Sequence, residues 1–175
     1  MSHHHGPMWY LSGMVQTTPI IRPATDDDMP DILSLVIELA VYEREPEAVK
    51  TTPDHYLRDL RDNWFQAIVA DHQGKLVGAA IFYPAYSTWK GRMIYLEDLI
   101  VTESWRHKGV GTRLFQAVID HAKERKANLV KWQVLSWNEP ALAFYARWDA
   151  HIDVDWWNGK IHLPELSQDP HPSRP

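Results

Sequence analysis

Apolar and polar positions along this chain change their period several times, and each change marks an element. Ile20 to Arg22 is a short extended run. Thr25 stands three residues before Asp28, a capping-box spacing that opens a helix. Ile32, Leu35, Val36 and Leu39 then recur at helical spacing, and the pattern ends near Glu43, before Glu45-Pro46. Thr52-Pro53 is a second start, an N-cap with proline at the first helical position. Tyr56, Leu57 and Leu60 form the apolar face behind it. Phe65 to Ala70 and Leu76 to Tyr83 read as strands around the turn His72-Gln73-Gly74-Lys75, an antiparallel hairpin. Met93 to Val101 is the third strand of this meander. A helix from Gly109 to about Arg125 carries Leu114, Val118, Ile119 and Ala122 on one face. Leu129 to Leu135 reads as a strand, and Glu139 to about Trp148 as a short helix. Asn158-Gly159 is a strong hairpin signal and predicts a last strand on each side of it.

Composition narrows the class. A chain of 175 residues, 45% hydrophobic and 23% charged, is expected to fold as one globular domain. That domain is placed at residues 20–163. Residues 1–19, with His3-His4-His5 and Gly6-Pro7, form an arm outside the fold reasoning; the histidines are tag-derived or native. Residues 164–175 are a polar, proline-rich tail. The absence of cysteine excludes disulfides, thiolate metal sites and a cysteine nucleophile. No apolar run is long enough to cross a bilayer, and no signal-peptide pattern precedes the domain, so a cytoplasmic protein without membrane partners is expected. A net charge of −5 argues against nonspecific nucleic-acid binding and is compatible with a cationic partner.

The chemistry concentrates between Arg92 and Thr112. Two carboxylates, Glu97 and Asp98, interrupt the apolar run of the third strand. Simple alternation places Glu97 with Tyr95 and Leu99 on one face, and Asp98 with Leu96 and Ile100 on the other. Both faces are apolar, so the strand is expected to be central and its carboxylates short of water. Each needs a partner: a structural ion pair, a helix-cap contact or a reacting cation. The strand feeds Arg106-His107-Lys108-Gly109-Val110-Gly111, and a helix follows. A helix start offers unpaired N–H groups and a positive dipole end, and glycines let an anion come close. No Gly-Lys-Ser/Thr ends this turn and no three-glycine fingerprint fills it, so it is neither a P-loop nor a dinucleotide fingerprint.

Arg106, Gly109 and Gly111 do fill R/Q-x-x-G-x-G/A, which resembles the acyl-CoA pyrophosphate motif of the GNAT N-acyltransferase superfamily. Tyr95-Leu96-Glu97-Asp98, Trp137-Asn138-Glu139-Pro140, Phe144-Tyr145 and Glu38-Leu39-Ala40-Val41-Tyr42-Glu43 resemble its spermidine/spermine and thialysine acetyltransferase branch. The resemblance covers about residues 20–163. It implies an α/β (α+β) GNAT fold, with a mixed, mostly antiparallel central sheet flanked by helices on both faces. It also implies acetyl-CoA as co-substrate, no metal, a small cationic amine as acceptor, and a homodimer.

Site residues follow from the same resemblance. Backbone groups of Leu99, Ile100 and Val101 are expected to pair with the pantetheine arm. Those of His107, Lys108, Gly109, Val110, Gly111 and Thr112 are expected to hold the pyrophosphate, with Arg106 and Lys108 adding charge. Asn138, Pro140, Ala141 and Tyr145 complete the cofactor set. Tyr145 is expected to protonate the departing thiolate, and Glu97 to accept the amine's proton through water. Tyr42, Glu43, Trp89, Glu97 and Asp98, with Lys131, Trp132 and Gln133, are expected on the acceptor side. Tyr145 also reads as a core aromatic, and Trp89 as a dimer contact. Two positions depart from the family pattern: His107 stands where glycine is usual, and Asp149-Ala150 replaces Gly-Ala after the last helix. Acetylation of a protein amine, or a non-catalytic acyl-CoA sensor, are the competing functions.

Overall fold

Capping chemistry starts the first two helices. In the computed structural model, which describes residues 18–163, Thr25 and Asp28 form a reciprocal cap ahead of helix α1 (Met29–Tyr42). The Asp28 carboxylate accepts from the Thr25 N–H at 2.7 Å and from both Arg22 Nη groups at 2.7 and 2.9 Å. The Arg22 bonds hold its pKa down at about 2. Thr52 caps helix α2 (Pro53–Arg61), accepting from the His55 N–H at 3.3 Å. His3-His4-His5, with the rest of 1–17, and the tail 164–175 lie outside the described residues.

Five strands lie side by side in chain order: β1 (Ile20–Pro23), β2 (Gln66–His72), β3 (Lys75–Ser87), β4 (Gly91–Val101) and β5 (Leu129–Lys131). The first four are antiparallel and β5 is parallel to β4. The sheet is therefore mixed and mostly antiparallel, as expected. A parallel neighbour needs a crossover, and helix α3 (Val110–Glu124) supplies it. Met29, Ile32 and Leu35 of α1 pack on Ala67, Val69, Ala79, Ile81 and Ile100, with Tyr56, Leu57 and Leu60 of α2 beside them. On the opposite face α3 buries Val110, Leu114, Phe115, Val118 and Ala122, and Phe82 meets His121 at 4.9 Å. Ile119 is only half-buried. A Cβ on Gly78 would come 2.8 Å from the Ile100 carbonyl and 3.1 Å from Leu114 Cδ1, so α3 lies close because that position has no side chain.

Two expectations fail. β5 ends at Lys131, well short of Leu135. No strand flanks Asn158-Gly159. A two-residue hairpin turn needs positive φ at its glycine, and Gly159 is not among the positive-φ residues. The alternating apolar positions there have no face to cover: Val154, Trp156, Ile161 and Leu163 are 82%, 72%, 89% and 80% exposed. The chain divides into two compact units after Gln133, and the second carries helix α4 (Glu139–Ala146).

Candidate active site

β4 does not alternate through its carboxylates. Opposite β3, Leu96 faces Phe82 and Asp98 faces Ile81, so Glu97 is the extra residue of a β-bulge. The expectation that Asp98 shares a face with Leu96 is thereby corrected. A one-residue slip moves every later side chain to the other side. Leu96 stays with Phe82 on the α3 face, while Asp98 joins Ile81 and Ile100 on the face under α1 and α2. Tyr83 and Tyr95 pair across the strands on that same face, stacked at 5.2 Å and 19°. The Tyr83 hydroxyl donates to Glu97 Oε2 at 3.2 Å.

Charge then accumulates. Burial, with the negative charges of Glu97 and Glu43, pushes the Asp98 carboxyl up to about 7. Burial also raises Glu43, which follows the last residue of α1. Burial and the Glu97 charge push the Tyr83 phenol up to about 12 and raise Tyr95. Burial and the Asp98 charge raise Tyr56 of α2. Three carboxylates thus meet three phenols that stay protonated at neutral pH. Among the described residues none of Glu43, Glu97 and Asp98 has an ion-pair partner. Glu97 is exposed and only Asp98 is largely withdrawn from water, which corrects the expectation that both carboxylates of the strand lack it; the cost of an uncompensated charge falls on Asp98.

The turn after β4 has the geometry of an anion cradle. Gly109, at φ 78°, caps α3 in the left-handed region that glycine enters freely. His107, at φ 60°, shares that region, which accounts for glycine being the usual residue there. No side chain caps α3, and its backbone ladder begins with the Arg113 N–H on the Gly109 carbonyl at 3.1 Å. The N–H groups of Val110, Gly111 and Thr112 therefore lead the helix without an intrahelical acceptor. Val110 is buried, Thr112 and His107 are exposed, and the Lys108 ammonium stands 4.9 Å over the Trp105 ring. Arg106 turns back toward β4: its Nε donates to the Val101 carbonyl at 3.0 Å.

Beside this turn one edge of β4 has no strand partner among the described residues. β5 pairs with β4 only from Met93↔Leu129 to Tyr95↔Lys131. Leu99, Ile100 and Val101 bond to Ala80, Ala79 and Gly78 on the other edge and have no β5 partner.

The remaining expected residues scatter. Trp89 is 82% exposed at the β3–β4 turn. Gly91, two residues on, is already roughly 20 Å from Glu97 along an extended strand. Lys131 is exposed opposite Tyr95, and Gln133 is exposed. Trp132 packs edge-on against Phe115 of α3 at 5.5 Å, on the face away from the carboxylates. In the second unit Asn138 caps α4, its Oδ1 accepting from the Ala141 N–H at 3.2 Å, with Pro140 in the first turn. Tyr145 is buried there, edge-on to Phe144 at 5.2 Å. Asp149 adopts φ 55°, in the left-handed region that glycine enters freely and aspartate tolerates at some cost. Sequence reasoning did not assign Tyr56, Tyr83, Tyr95 or Glu38 to the site; only strand register and helix packing bring them in.

An open strand edge beside an uncapped helix start, with carboxylates at a bulge, is a frame for acyl transfer. The sequence pattern of the Acetyltransferase (GNAT) family matches residues 30–149. The chain belongs to the GNAT acetyltransferase family. The thialysine N-epsilon-acetyltransferase of Bos taurus is 34% identical over 136 residues, 72% of this chain and 80% of that protein. The spermidine/spermine N(1)-acetyltransferase-like protein 1 of Homo sapiens is 35% identical over 134 residues, 71% of this chain and 19% of that protein. An aminoglycoside acetyltransferase from an uncultured soil metagenomic sample shares the fold, with a TM-score of 0.72 at 21% identity, over 85% of this chain and 99% of that one. This GNAT protein is an acetyl-CoA-dependent amine N-acetyltransferase. Among its described residues no group of histidines and carboxylates could hold a metal, and no helix is long and apolar enough to cross a membrane.

Proposed function

We propose that this GNAT enzyme acetylates a primary amine of a small acceptor bearing a second positive charge: a diamine, a polyamine, or a lysine-like amino acid such as thialysine. The observation that carries the reading is the unpaired trio Glu43, Glu97 and Asp98 beside protonated Tyr56, Tyr83 and Tyr95. Glu43 and Asp98, partly shielded, hold ammonium groups more strongly than surface pairs do, and phenol faces add cation–π attraction. Two relatives point the same way: a thialysine N-epsilon-acetyltransferase and a spermidine/spermine N(1)-acetyltransferase-like protein.

The residues present fit acetyl-CoA. Backbone N–H groups from His107 to Thr112 take the pyrophosphate at a helix start, and Lys108 adds positive charge. The open edge of Leu99 to Val101 takes the pantetheine amides as an added strand. When bound, the cofactor supplies an activated acetyl thioester.

The acceptor's proton is the protein's task. An alkyl ammonium has a pKa of about 10.4, so only about one molecule in a thousand is neutral near pH 7.4, a cost of roughly 4 kcal/mol. Tyr42 and Glu43 hold the distal ammonium. Glu97, fixed by the Tyr83 hydroxyl, accepts the proton of the reacting ammonium through a water. Asp98, poised near neutrality, stabilises the cation on arrival. Tyr145 would protonate the CoA thiolate released when the acetyl group passes to the amine. The reading places the enzyme in the cytoplasm as a homodimer.

An acceptor panel tests it: 1,4-diaminobutane, spermidine, thialysine and butylamine with acetyl-CoA, read by thiol release at two salt concentrations. The acceptors with a second positive charge should exceed butylamine in kcat/KM by roughly tenfold, and the advantage should shrink with salt. Glu43→Gln should raise KM for the diamine more than for the monoamine, and Glu97→Gln should depress kcat as well. Equal kcat/KM for all four acceptors, unmoved by either substitution, refutes the acidic pocket.

A further inference from the structure

Arg106 is the charged residue of the cofactor motif, yet its side chain points away from the helix start. Its Nε is used by the Val101 carbonyl at 3.0 Å, five residues back. Its guanidinium carbon lies 5.0 Å over the centre of the Tyr42 ring. Its Nη2 stands 3.9 Å from Glu38 Oε1. The same Glu38 oxygen accepts the Glu103 N–H at 3.1 Å, the first of the short 3-10 turn before Arg106. Glu38 and Tyr42 are four residues apart and share one face of α1. The cofactor turn is thus fastened to the end of α1 by two side chains. Glu43 is the next residue of that end and belongs to the carboxylate trio.

We infer that Arg106 is a positioning residue for the acceptor: it clamps the Tyr42–Glu43 end of α1 to the cofactor turn, so that occupancy of the turn and the shape of the acceptor pocket are coupled. Its charge is matched by Glu38 and its face is covered by Tyr42, which leaves the pyrophosphate to the backbone N–H groups and Lys108. Coupling follows because anything that orders the turn orders the wall it is fastened to. The inference rests on the reading that Tyr42 and Glu43 face the acceptor.

Arg106→Gln is the informative substitution. Glutamine keeps an N–H donor for the Val101 carbonyl but loses the charge and the plane over Tyr42. Arg106→Lys keeps the charge alone. The measurements are CoA affinity by calorimetry and KM and kcat for 1,4-diaminobutane, with melting curves to show that each variant is folded. Arg106→Gln is expected to raise the diamine KM roughly five- to thirtyfold. Its CoA Kd should stay within about twofold of wild type. Arg106→Lys should lie between Arg106→Gln and wild type. Glu38→Gln should move KM in the same direction, and the double variant should be no worse than Arg106→Gln, because both residues act through one contact. Lys108→Gln should do the reverse and weaken CoA binding. A tenfold loss of CoA affinity with the diamine KM unchanged would make Arg106 a phosphate ligand and overturn the inference. So would additive effects in the double variant, or no change in either constant. If Glu43→Gln leaves the diamine KM where it was, the acidic-pocket reading fails instead. The clamp is then decided by whether Arg106→Gln shifts KM for the acceptor that the panel selects.

Discussion

Asp98→Asn should make the free enzyme more stable, and increasingly so as pH rises. In the folded chain burial and the charges of Glu97 and Glu43 hold the Asp98 carboxyl up at about 7, against 3.8 for the unperturbed group. The native state therefore binds more protons than the unfolded state between those values, and stability falls with pH across that window. The contribution is fully present below about pH 4 and is lost as pH rises through about 7. Between pH 5 and pH 8 the lost stability is about 3 kcal/mol at about 1.36 kcal/mol per unit. This is an upper bound, since Glu97 and Glu43 share the repulsion and can take up protons in its place. Asparagine keeps the shape and carries none of this titration. For a chain of this size each kcal/mol moves Tm by roughly 2–4 °C, so the gain in Tm on substitution should grow by up to roughly 6–12 °C over that range. Melting curves of both proteins at pH 5, 6, 7 and 8, without acceptor, provide the check. A Tm difference that stays constant with pH, or a variant less stable than wild type at pH 8, refutes the placement of Asp98 among unpaired carboxylates.

Two further outcomes are expected. Tyr145→Phe should lower kcat by about 10² to 10⁴ while CoA affinity is nearly kept, the signature of a lost general acid; activity within about threefold of wild type would return Tyr145 to the core it occupies beside Phe144. His107→Gly should raise stability by about 1 kcal/mol, because relief of a left-handed side chain outweighs glycine's extra unfolded-state freedom, and an unchanged or lower Tm in scanning calorimetry would contradict this.

Much of this enzyme is legible without coordinates. Thr25 with Asp28 and Thr52 with Pro53 announce the starts of α1 and α2, because a cap is a contact between residues three apart. The hairpin of β2 and β3 follows from alternation around a glycine turn. Gly109 and Gly111 mark the cofactor turn, since only glycine enters the conformation at 109 without cost. Short-range chemistry of this kind is written in adjacent letters. The clustering of Glu43, Glu97 and Asp98 was expected from likeness to a family, and local pattern alone offered two carboxylates on opposite faces.

What the tertiary structure decided is what depends on a partner. The bulge at Glu97 exists only in register with β3, and it turns two neighbours in the chain toward one face. Tyr83 and Tyr95 become a stack only when their strands pair. Glu38 and Arg106 meet across 68 residues of chain, so neither announces the other. Around Asn158-Gly159 the local signal was strong and still failed, because a strand is made by its neighbour's hydrogen bonds and by a face to cover. The sequence by itself determined where helices begin, where the chain turns and which residues carry charge. The tertiary structure decided which of those charges face one another, because burial, register and electrostatic repulsion are properties of the space between elements and not of any one of them.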